Sequence, residues 1–81
     1  MLKGDITTMP CIDMIKTGQN IADICHTHGM TMRQMADKIG VTPVAVSKWT
    51  NAKAMPTLDN LIIMACIFGV KMDDIIVTKI V

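Results

Sequence analysis

Ser47, Lys48 and Asn51, with Thr42, Pro43 and Val44 just ahead of them, carry a chemistry of contact rather than of reaction. The Lys48 ammonium can donate to acceptors on a base edge, such as guanine O6 and N7, or to phosphate. The Ser47 hydroxyl can serve either, and Val44 can pack on a thymine methyl. A helical period that turns Val46 and Trp49 inward leaves Thr42, Val44, Ser47, Lys48 and Asn51 outward, with Pro43 beside them. No acid, base and nucleophile converge anywhere in the chain, so neither an enzyme nor a cofactor is expected. Cys25, His26 and His28 invite a metal reading, but adjacent residues on a helix point in different directions. Zinc needs about four converging ligands, and Cys11 and Cys66 are the remaining soft candidates, so no metal site is expected.

Two short helices joined by one tight turn must hold that face. Thr31 can cap the first with its hydroxyl while Gln34 reaches back to the cap amide, and Met30 can pack on Met35. Gly40 supplies the left-handed residue that ends the helix. A second start follows at once, with Thr42 as cap and Pro43 in the first turn. The residues from Thr31 to Trp49 therefore read as a helix-turn-helix. Met35, Ala36, Ile39, Val41, Val46 and Trp49 would face inward, with Ala36 where the helices come closest. In such a motif the second helix, here about Pro43 to Asn51, enters the major groove, and the first lies across the backbone. Base contacts are thus expected from Thr42, Pro43, Val44, Ser47, Lys48 and Asn51. Backbone contacts are expected from the amides at the start of the Thr31 helix, where the helix dipole favours an anion, and from Gln34 and Lys53.

The pattern resembles the phage-repressor type of helix-turn-helix, the lambda repressor and Cro-like or XRE family, on a small residue at Ala36, the turn Gly40 and a branched apolar residue at Val46. The resemblance runs from about Gly18 to Val77, because Ser47-Lys48-Trp49, Lys53 and Met55-Pro56-Thr57-Leu58-Asp59-Asn60-Leu61 look like the family's third helix, loop and fourth-helix start. It implies an all-α five-helix bundle that binds double-stranded DNA, with phosphate contacts at positions such as Thr31, Met32, Gln34 and Lys53. Met32 stands where the family usually has Gln, and Thr50 and Ala52 replace its usual acidic residue and Gly after the Trp.

At 81 residues the chain is expected to form one domain with a small core. That core must be aliphatic and sulfur-rich, given nine Met, one Trp, one Phe and no Tyr. Net charge is only +1, but between Thr31 and Lys53 the cations Arg33, Lys38, Lys48 and Lys53 face the single acid Asp37. The other six acids lie outside that window, which suits phosphate contact on one surface and salt-sensitive binding. Three cysteines without close pairing indicate no disulfide framework and fit a reducing cytoplasm. No continuous apolar segment follows Lys3, and the run from Leu61 to Phe68 is short of the roughly 20 residues a membrane span needs.

Residues 1–16 lack a helical period and are read as an N-terminal arm. Its end, Cys11 to Ile15, can form a short strand, with the β-branched segment from Ile75 to Val81 as partner within the subunit or across a dimer. Residues 17–77 form the DNA-binding domain and 78–81 a C-terminal tail. A first helix is expected over about Gly18 to His28, with Ile21, Ile24, Cys25 and His28 on one face. Thr57 caps a fourth helix whose stripe is Leu58, Leu61, Ile62, Ala65 and Cys66, and Ile63, Met64 and Ile67 extend its apolar surface toward another subunit. A fifth helix follows at about Met72 to Ile76. The expectation is a homodimeric transcription regulator, most simply a repressor, on a two-fold operator with half-sites about 34 Å apart, with a regulatory protein partner as a further possibility. The alternative is a helix-turn-helix used for protein contact, as an antitoxin-like partner would be.

Overall fold

Short polar caps and left-handed residues set the helix ends. The computed structural model describes residues 9–80; the first eight residues of the expected arm, and Val81, lie outside them. Asp13 Oδ1 accepts from Lys16 N at 3.0 Å and starts α1, Met14–Thr27. The helix therefore begins at Met14 rather than Gly18, and residues 14–16, expected as the end of the arm, are its first turn. Then come α2, Met32–Ile39, α3, Pro43–Thr50, α4, Leu58–Phe68, and the short α5, Met72–Ile75.

Each helix adds an apolar stripe to one core. Ile21, Ile24 and Cys25 come from α1, Met35, Ala36 and Ile39 from α2, and Val46 and Trp49 from α3. Leu61, Met64 and Phe68 of α4 and Ile75 of α5 close it, with Met30 and Val41 packed at its margin. Burying each large side chain contributes about 1.5–3 kcal/mol. Around this core α2 packs on α3, α1 lies behind α3, and α4 and α5 close the bundle.

Four expected core positions face outward instead. His28 is exposed, its ring set 4.8 Å from that of Phe68 between centroids. In α4, Leu58 and Ile62 are 66% and 53% exposed and Cys66 also faces out, while Met64 and Phe68 are buried instead. Because α4 carries apolar residues on every side, its sequence offers no polar face to fix the stripe, and the structure chooses the Leu61, Met64, Phe68 line.

The chain ends are tied to α1. Thr17, fully buried, accepts from Val77 N at 3.0 Å, Asp13 N donates to Val77 O at 2.7 Å, and Asn20 Nδ2 donates to Ile75 O at 3.2 Å. These bonds align β1, Pro10–Ile12, antiparallel to β2, Thr78–Ile80, pairing Pro10 with Ile80, Cys11 with Lys79 and Ile12 with Thr78. The expected first strand is shorter than Cys11 to Ile15 because Asp13 leaves the ladder to cap α1, and its partner belongs to the same chain. Cys11, Cys25 and Cys66 are all free thiols. Among the described residues, no helix is long and apolar enough to cross a membrane, and no group of three His, Cys, Asp or Glu side chains is placed to hold a metal.

Candidate nucleic-acid interface

The start of α2 is built by a reciprocal cap. Thr31 Oγ1 accepts from Gln34 N at 3.1 Å, and Gln34 Oε1 accepts from Thr31 N at 2.9 Å. With its oxygen held inward, the Gln34 side chain keeps both Nε2 hydrogens for an outside acceptor. Thr31, Met32 and Gln34 are all exposed on this end of the helix. At the other end Gly40 takes φ +87° and donates to Ala36 O at 2.8 Å, and Val41 N donates to the same carbonyl at 3.0 Å. The chain thereby turns over the fully buried Ala36 into α3.

Thr42 Oγ1 accepts from Ala45 N at 3.2 Å and Pro43 occupies the first turn of α3. Val46 and Trp49 anchor the inner side at 0% and 5% exposure, which makes Trp49 a packing residue. On the outer side Thr42, Val44, Lys48 and Asn51 are exposed and Pro43 and Ser47 half-buried. The structure thus brings the expected base-contact residues onto one face. Asn51 is the one whose side-chain donor is already engaged. Its Nδ2 donates to Ser47 O at 2.8 Å and to Ser47 Oγ at 3.3 Å, so it folds back on the end of α3 as a cap.

Beyond α3 the chain closes by a left-handed residue that is not glycine. Ala52, at φ +58°, donates through its amide to Trp49 O at 3.2 Å, and Lys53 N donates to Lys48 O at 2.8 Å. This is the paired bonding of a Schellman motif. It keeps the geometry a Gly would give and ties the exposed Lys53 to the same turn as Lys48. A further link was not legible in the chain: Thr50 Oγ1 donates to Ser47 O at 3.1 Å and lies 3.9 Å from Met32 Sδ. It joins the end of α3 to the start of α2, the two places expected to meet a duplex.

Paired helices of eight residues each, joined by a short turn and presenting an uncovered polar face, define a helix-turn-helix module. The helix-turn-helix family model matches residues 27–75, and the chain belongs to that family, in its phage-repressor-type XRE branch. It is similar to YobD of Bacillus subtilis (strain 168), named as an uncharacterized HTH-type transcriptional regulator, at 31% identity over 58 residues. That match spans 72% of this chain but 52% of the relative, so the chain accounts for about half the relative's length.

Among solved structures, the restriction-modification controller protein C.AhdI from Aeromonas hydrophila superposes with a TM-score of 0.71 at 17% identity, over 78% of this chain and 96% of its own. The SOS-response transcriptional repressor LexA from Eubacterium rectale gives 0.68 at 22%, over 73% and 63%. Hydroxypropylphosphonic acid epoxidase from S. wedmorenis gives 0.69 at 22%, over 76% of this chain and 33% of its own. At these identities the three establish a shared fold.

Proposed function

We propose that this chain is a sequence-specific double-stranded DNA-binding transcription regulator, acting as a repressor in the cytoplasm, that reads the major groove with α3. The observation that carries this reading is the outer face of α3, where Lys48 and Thr42 are exposed beside the half-buried Ser47 while Val46 and Trp49 fix the opposite face in the core. Thr42, Pro43, Val44, Ser47 and Lys48 are the base-contacting set. Thr31, Met32, Gln34 and Lys53 flank them as backbone contacts, with Lys53 and Gln34 supplying donors to phosphate. The names of YobD and LexA support a role in transcription.

The protein acts as a homodimer, so that two copies of α3 meet successive major grooves about 34 Å apart. The exposed Leu58, Ile62, Ile63 and Ile67 of α4 offer the surface for that pairing. The boundaries that go with this reading are a reading domain within residues 17–77 and short appended ends.

A second reading, in which the module docks a protein, draws on the same α4 residues and on Val44, 63% exposed at the tip of α3. Selection from a random duplex pool at fixed salt separates the two. A palindrome with two equal half-sites is expected; a pool without enrichment favours protein docking.

A further inference from the structure

We infer that Asn51 is a positioning residue that turns the Ser47 hydroxyl into a hydrogen-bond donor toward the duplex, so that Ser47 selects a base presenting an acceptor and discriminates against cytosine. The inference rests on the DNA reading above and adds a specificity rule to it.

Ser47 O lies 2.8 Å from the Asn51 side-chain amide. An amide oxygen cannot sit that close to a carbonyl oxygen, so the near atom is the donor nitrogen. The same nitrogen lies 3.3 Å from Ser47 Oγ. Since the amide nitrogen only donates, Ser47 Oγ must accept there.

A hydroxyl has one hydrogen and two lone pairs. With a lone pair fixed toward Asn51, the hydrogen has two remaining directions. One runs back along the helix, where a serine usually meets the carbonyl four residues earlier. That carbonyl belongs to Pro43, and among the described residues Ser47 Oγ donates to no acceptor. The other direction points out from α3. The hydrogen is satisfied only by an acceptor met from outside, such as guanine O6 or N7, adenine N7 or thymine O4. Cytosine shows an amino donor in the groove; facing it would leave the Ser47 hydrogen without a partner. Removing Asn51 opens its place to water, which can take the hydrogen and free a lone pair for cytosine.

The experiment starts from the operator that the wild-type protein selects. Ser47→Ala locates the base pair that Ser47 reads, as the position whose preference flattens. Analogues lacking one acceptor, 7-deazapurines, 2-aminopurine for guanine O6 and 4-thiothymine, then name the contacted base. One such analogue is expected to weaken wild-type binding by up to about tenfold and to leave Ser47→Ala unaffected. Cytosine in place of that base should weaken the wild type several-fold more than Asn51→Ala, whose thermal unfolding is followed in parallel.

The proposal is overturned if no analogue separates the wild type from Ser47→Ala. It is equally overturned if Asn51→Ala loses as much to cytosine as the wild type does, including the case where the variant merely melts earlier, as a plain helix cap would. A wild-type selection that enriches nothing removes the DNA reading itself, and that failure shows before any variant is made.

Discussion

The carbonyl oxygen of Trp49 lies 2.5 Å from the point where a β-carbon on Gly18 would stand, and the Thr50 carbonyl oxygen lies 3.1 Å from it. Backbone meets backbone here, so neither side can yield as a flexible side chain would. This contact sets how close α1 lies behind α3, and with it the tilt of the outer face of α3. Gly18→Ala is expected to destabilise the fold by about 1–3 kcal/mol, the usual cost of overpacking. Denaturant unfolding checks it, and an unchanged midpoint would mean that the two helices separate at no cost.

At Ala52 the opposite change should help. A side chain held at φ +58° costs roughly 1–2 kcal/mol, whereas Gly adopts that conformation freely and loses about 0.4–1 kcal/mol through the unfolded chain. Ala52→Gly is therefore expected to stabilise by a few tenths to about 1 kcal/mol, or several degrees in Tm for a domain of this size. A lower Tm would show that the turn after α3 is not strained.

The contrast between Ala52 and the α4 stripe shows what the sequence could and could not disclose. Around Thr31, Gln34, Gly40, Thr42 and Pro43, each backbone need at a helix end is met by a side chain of distinctive type, so caps, turn and inward face were all readable. In α4 the signal is flat: with Leu58, Ile62, Ile63 and Ile67 as apolar as Leu61, Met64 and Phe68, only packing against the other helices selects the buried line. Asn51 failed for another reason. Periodicity places it outward, as the structure does, but its bond to Ser47 depends on a rotamer that spacing does not encode. The start of α1 is masked because the residues before Gly18 lack an apolar period, and the one signal there is an Asp three residues before Lys16.

Burial pushes the Cys25 thiol above its ordinary value, and its Sγ donates to Met30 O at 3.0 Å. The unfolded chain loses this proton at lower pH than the folded one. The thiol's contribution to stability is therefore complete below the unfolded value and is lost as pH rises through the folded one. Cys25→Ala should flatten the alkaline limb of a stability profile, and an unchanged limb would contradict the assignment. In the monomer, thiol reagents should modify the exposed Cys66 well before Cys25.

If the exposed line on α4 pairs two copies, a charge there will separate them. Ile62→Lys is expected to shift the protein from dimer to monomer in sedimentation equilibrium while the monomer still unfolds cooperatively, because Ile62 is 53% exposed and outside the core. A variant that remains dimeric would move the interface elsewhere.

Every contact proposed for α3 requires one event, the meeting of its outer face, with Lys48 on it, and a DNA duplex. Its most direct test is equilibrium binding of the wild type and Lys48→Ala to the selected duplex and to a scrambled one, across a range of salt. Wild-type affinity for the selected duplex should exceed that for the scrambled one by about a thousandfold or more and fall steeply with salt. Lys48→Ala should lose about tenfold or more on the selected duplex. Equal affinity for the two duplexes, or wild-type binding indifferent to both salt and Lys48, would contradict the account.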